Sequence, residues 1–68
     1  MKVEVSDWMG GNEKIEINIE KISGKDLLER LGISVFEATI TKNSVIVRES
    51  EILTSNDNVK ILKMIHGG

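Results

Sequence analysis

Val3 and Val5 alternate with Lys2, Glu4 and Ser6, and after Gly10-Gly11-Asn12 the same period resumes as Ile15, Ile17 and Ile19 between Lys14, Glu16, Asn18 and Glu20. Successive strand side chains point to opposite faces, so this period predicts two strands sharing one buried face. Gly-Gly-Asn supplies the positive-φ residues a tight connection needs. The pattern changes at Ser23-Gly24-Lys25-Asp26, close to the Ser-x-x-acid arrangement in which the serine oxygen accepts a backbone N–H at the start of a helix. Leu27, Leu28 and Leu31 then fall at helical spacing on one face, Lys25, Asp26, Glu29 and Arg30 face water, and Gly32 can end the helix in the left-handed conformation.

From Phe36 the period returns to two, Ala38 and Ile40 alternating with Glu37, Thr39 and Thr41. Lys42-Asn43-Ser44 makes a turn into a short strand, Val45-Ile46-Val47. Ile52-Leu53 is expected to pack beneath a connecting segment, and Thr54 to Asn58 is a turn cluster. Val59, Ile61 and Leu62 open a last strand that runs toward Met64-Ile65. The order strand, strand, helix, strand, short strand, strand implies an α+β domain, with one helix covering one face of a mixed sheet of four to five strands. The expected core is Val3, Val5, Ile15, Ile17, Leu27, Leu31, Ala38, Ile40, Val59 and Ile61.

At 68 residues there is room for one such domain, expected over residues 1–65, with residues 66–68 as a flexible tail. The sequence has no cysteine, so neither a disulfide framework nor a thiolate nucleophile is available, and hydrophobic packing must suffice. Nine basic against eleven acidic residues give a net charge of −2, which argues against a grip on nucleic acid or on an anionic membrane. The charge is uneven: of the basic residues only Lys60 and Lys63 lie beyond residue 58, where there is no acid. No apolar run approaches a membrane span and the start lacks signal-peptide character, so a cytoplasmic monomer is expected.

The last strand leads into Lys63-Met64-Ile65-His66-Gly67-Gly68. A carboxylate becomes an electrophile when ATP converts it to an acyl adenylate, and a narrow channel beside the nucleotide best admits residues without Cβ. A glycyl carbonyl also leaves the acyl carbon open to a persulfide, a thiol or a lysine amine. Extended, the six residues from Lys63 to Gly68 reach about 20 Å, enough to enter a partner's active site.

On Asp26 to Leu31, Glu37 to Ile40 and above all Asn58 to Gly68, the chain resembles the β-grasp (ubiquitin-like) sulfur carriers and protein modifiers. These include the molybdopterin synthase small subunit, the thiamine sulfur carrier, ubiquitin-related modifier and the small archaeal modifiers. Asn43-Ser44 departs from the glycine-containing turn that relatives often carry there. The resemblance implies a protein that is not an enzyme and binds no cofactor. A ubiquitin-activating-type enzyme would adenylate Gly68 at the expense of ATP. The product would be a thiocarboxylate that donates sulfur to tRNA thiolation or molybdopterin synthesis, an isopeptide with target lysines, or both. A noncatalytic interaction domain with an inert tail is the alternative.

Leu62 and Met64 fall on the face away from the helix, where they serve either as edge packing or, as the resemblance implies, as a patch docking the activating enzyme with Ile65, Lys60 and Lys63. Trp8 is out of phase with Val3 and Val5 and should face outward near the first turn. It is either a lid over a sheet edge or, as the resemblance implies, a contact like the apolar first-loop residue of ubiquitin's binding patch. His66 is the single histidine, with no second ligand or nucleophile in a motif beside it. It is therefore assigned, with Gly67, to the tail, where it makes a polar contact, and no metal site is expected.

Overall fold

The computed structural model describes residues 1–64, so the expectations for Ile65, His66, Gly67 and Gly68 fall outside the described residues. Eight elements follow one another: β1 (Lys2–Asp7), β2 (Asn12–Glu16), β3 (Lys21–Ser23), α1 (Gly24–Leu31), β4 (Ala38–Lys42), β5 (Val45–Val47), β6 (Ile52–Thr54) and β7 (Val59–Lys63). Five of the strands form one mixed sheet in the order β2-β1-β7-β4-β5, and β3 pairs with β6 in a separate two-stranded ladder. The pairs β1–β2, β4–β5 and β4–β7 are antiparallel, while β1 and β7 run parallel at the centre. This is an α+β architecture with one helix and a mixed five-stranded sheet, compatible with the expected β-grasp.

The helix forms where the capping residues require it. The Ser23 side chain accepts the Asp26 N–H at 3.1 Å, and Gly32 closes the last turn at φ 73°, its N–H donating to Glu29 and Leu28 carbonyls. Gly24 opens the helix against the chain. A Cβ there would stand 2.7 Å from Ile40 Cδ1 and 3.0 Å from the Glu49 carbonyl, so only glycine fits without displacement.

Leu27 and Leu28 of the helix meet Val3, Val5, Ile40, Val59 and Ile61 of the sheet, with Ile17, Met1 and Leu53 completing the buried cluster. Seven of the ten expected core residues are buried. Ile15, Leu31 and Ala38 are half-buried and pack against them. Leu53 is fully buried on β6 opposite Ile22, so what reads as a connecting segment is a paired strand, while its neighbour Ile52 points outward. Phe36 corrects a second expectation. The alternation carried back from Ala38 and Ile40 would start the strand there, but β4 begins at Ala38 and Phe36 is 86% exposed in a turn. Among the described residues no helix is long and apolar enough to cross a membrane.

Candidate functional site

The register brings three separate stretches of chain to one end of the sheet. Lys63, the last residue of β7, lies opposite Asp7 at the end of β1 and opposite Ala38 at the start of β4. The end of β7 is therefore flanked on one side by the β1–β2 turn and on the other by the segment leading into β4.

The first flank is held by Asp7. Its Oδ1 accepts the N–H groups of Met9 (2.9 Å) and Gly11 (2.7 Å), while its backbone N–H donates to the Gly11 carbonyl at 3.0 Å. With the backbone bonds made within the turn, Trp8 and Met9 at its apex remain 55% and 76% exposed. The second flank is the turn Ser34 to Glu37, closed by Glu37 N–H on the Ser34 carbonyl (3.0 Å) and by Phe36 N–H on Ser34 Oγ (3.2 Å). Between the flanks Met64 N–H donates to the Glu37 carbonyl at 2.8 Å, and the Thr39 hydroxyl reaches Met64 Sδ at 3.4 Å. Met64 is thus fastened by its backbone to Glu37, just ahead of β4, yet half exposed at its side chain.

Of the residues that sequence reading gave to a docking patch, Leu62 lies on the sheet face opposite the core, between Ser6 and Thr39, and is 42% exposed. Met64 and Trp8 stand beyond it at the same end. Lys60 is on that face too, between Glu4 and Thr41. Lys63 is not. It shares the parity of Val59 and Ile61 and projects at the rim of the helix-bearing side, so the two lysines do not form one basic patch. Met9 and Phe36 belong to this end and were not singled out from sequence. The turn chemistry of Asp7 and Ser34 is the signal that could have found them. Ile65, His66, Gly67 and Gly68 are outside the described residues.

The far end of the sheet carries a polar network, with Val45 and Ile46 of β5 exposed beside it. Asn43 and Ser44 both take positive φ, 53° and 71°, in the two-residue turn between β4 and β5. Asn43 accepts the Asn58 N–H at 2.9 Å and donates its amide to Asp57 Oδ1 at 3.1 Å, tying this turn to the β6–β7 loop. Asp57 Oδ2 in turn accepts Thr54 N–H (2.8 Å) and Thr54 Oγ1 (3.0 Å). Lys42 Nζ donates to Glu51 Oε2 at 3.0 Å and to the Ile52 carbonyl at 3.2 Å, with Asp57 at 3.9 Å. The Thr54 backbone bond, aided by Asn43, holds the Asp57 carboxyl below its ordinary value. The bond to Glu51, aided by the nearby Asp57 charge, raises the Lys42 ammonium above its own.

A cleft of about 190 Å3 lined by Lys2, Val3, Glu4, Lys14 and Asn58 also lies away from the end where β7 finishes. Among the described residues no group of three or more His, Asp or Glu side chains is arranged to hold a metal ion. What the described residues gather at the end of β7 is a group of exposed apolar side chains: Trp8, Met9, Phe36, Leu62 and Met64. No family model matches the chain, and no curated protein matches it.

Proposed function

We propose that the chain is a ubiquitin-like carrier of the β-grasp type, whose Gly68 carboxylate is activated by an adenylating partner. One observation carries this reading. Four exposed large apolar side chains, Trp8, Met9, Phe36 and Met64, surround the point from which the chain proceeds to His66-Gly67-Gly68, with Leu62 beside them. Exposed apolar residues gathered at one place mark a contact, and a partner acting on the diglycine has to come to this end. The central parallel pair β1–β7, with antiparallel β2 and β4–β5 outside it, is the second support.

In this reading the Gly68 carboxylate oxygen attacks the α-phosphorus of ATP and displaces pyrophosphate. Attack on the acyl carbon by a protein persulfide expels AMP and leaves an acyl disulfide, whose S–S bond a second thiol then cleaves to release the thiocarboxylate and form a disulfide on the donor. Attack by a lysine amine, which loses its proton, expels AMP and closes an isopeptide bond. The chain supplies no catalytic group to either route; its part is to present the carboxylate and the surface beside it.

Deletion of Gly68, or replacement of Gly67 and Gly68 by alanine, is expected to abolish or severely impair ATP-dependent activation. The measurement is pyrophosphate exchange with the adenylating enzyme of the same cells. Removing one residue withdraws the carboxylate by about 3.5 Å, and a misplacement of about 1 Å can cost 100-fold. Glycine has no apolar side chain to lose from a core, so the melting midpoint should hold. Equal activation of the shortened chain would leave an interaction domain with an inert tail as the better reading. The mass of the protein from its native cells separates the two routes: oxygen replaced by sulfur marks the carrier, and its tail remnant on lysines of other proteins marks the modifier.

A further inference from the structure

Phe36 is the most exposed large apolar residue described, at 86%, and its setting is built: both its own N–H and that of Glu37 are bonded to Ser34, at 3.2 and 3.0 Å. Val35 beside it turns inward and packs against the core, which commits Phe36 to the outside. The Glu37 carbonyl, one residue on, takes the Met64 N–H at 2.8 Å, so the Phe36 turn is fastened to the end of β7. Neighbouring strands stand about 4.8 Å apart, and Lys63 lies opposite both Asp7 and Ala38. Phe36 and the Trp8-Met9 turn therefore flank β7 from its two sides. Four residues follow Met64, a reach of about 14 Å when extended. A protein that closes on the Gly68 carboxylate therefore works within that reach of both flanks.

We propose that Phe36 is a specificity-determining anchor for the adenylating partner, set across β7 from Trp8, so that the partner grips the departing chain from two sides with an apolar pocket for the phenyl ring. This inference rests on the carrier reading above. An aromatic side chain that leaves water only in the complex contributes to binding and not to the folded chain alone, and truncation of such a residue is the kind that weakens an interface strongly. A phenyl ring has no group to give to acyl or phosphoryl transfer, so Phe36 should act on the encounter and leave the chemical step unchanged.

The test is steady-state pyrophosphate exchange with the full chain, ATP and the purified adenylating enzyme. Phe36→Ser should raise the KM for the chain by about tenfold with kcat unchanged, and Phe36→Leu should recover most of the loss. Ile46→Ser, at a 73% exposed position on the edge strand β5, should leave both constants as they are. If Phe36→Ser lowers the melting midpoint, Phe36→Gln, which keeps reach and drops the ring, takes its place. A parental KM in the Phe36 variants, or an equal rise in Ile46→Ser, overturns the proposal while leaving the carrier reading intact if Gly68 deletion still abolishes exchange. Exchange that survives Gly68 deletion overturns the carrier reading and, with it, the role given to Phe36.

Discussion

The two ends of the sheet meet water by opposite means. Where β7 finishes, the loops satisfy their own backbone through Asp7 and Ser34 and leave Trp8, Met9 and Phe36 outward. At the other end Asn43, Asp57, Thr54 and Lys42 spend their side chains on one another and on the backbone of neighbouring loops. The first end satisfies its two turns locally and gathers the larger exposed apolar side chains; the second is stitched across the chain by polar side chains, with Val45 and Ile46 of β5 exposed beside that network. On the proposed reading stability and contact fall to different loops, so that residues of one end can be changed without disturbing the other.

That division makes a direct claim about mutants. Asn43→Ala removes one donor and one acceptor that join two loops, and puts a less tolerant residue at φ 53°, so it should cost about 2 kcal/mol of stability in urea unfolding. Met9→Ser and Phe36→Ser, at the contact end, should each stay within about 0.5 kcal/mol of the parent. Comparable losses at both ends would mean that the exposed apolar residues support the fold and are not reserved for a partner.

The pH dependence of stability should belong to the polar end. Asp57 is more acidic folded than unfolded, chiefly through the Thr54 backbone bond, so its contribution is present above its ordinary 3.8 and is lost as pH falls through the folded value. Lys42 holds its proton more tightly when folded, chiefly through Glu51. Its contribution is present below the ordinary 10.5 and is lost as pH rises through the folded value. Asp57→Asn should flatten the acid side of a plot of melting midpoint against pH, and Lys42→Met the alkaline side. An unchanged acid limb in Asp57→Asn would show that the carboxylate network is not what ties the loops.

The parts of this division differ in how far they can be read from sequence. The two hairpins, the Ser23 cap, the Gly32 stop and the outward turn of Leu62 follow from period and capping chemistry, because each is a local consequence of neighbouring residues. The pairing of β3 with β6 is not local. Each strand has three residues, too few for a period, and the burial of Leu53 against the outward Ile52 is decided by a partner about thirty positions away. Lys60 and Lys63 look like one basic stretch when counted along the chain, but their odd separation puts them on opposite faces of β7. Met9 lies in a turn where no period speaks and Phe36 in one where the period misleads, and it takes the register of β1, β7 and β4 to bring them to the same end.

The smallest effect is the most discriminating within the polar end, because the two adjacent positive-φ residues should respond to glycine with opposite signs. A residue other than glycine in the left-handed region costs about 1–2 kcal/mol, and asparagine bears this better than serine because its short amide can bond locally. Among the described residues the side-chain bonds of this turn come from Asn43. Ser44→Gly at φ 71° therefore relieves the backbone without giving up any of them. Against the relief stands the extra freedom of glycine in the unfolded chain, about 0.5–1 kcal/mol, so the net gain should be about 0.5 kcal/mol. Asn43→Gly gains less from the backbone, pays the same entropy and forfeits the bonds to Asp57 and Asn58, so it should destabilise. Urea unfolding of both variants beside the parent decides the matter. If Asn43→Gly proved the more stable of the two, conformation and not the cross-chain network would govern this turn, and the contrast between the two ends would lose its physical basis.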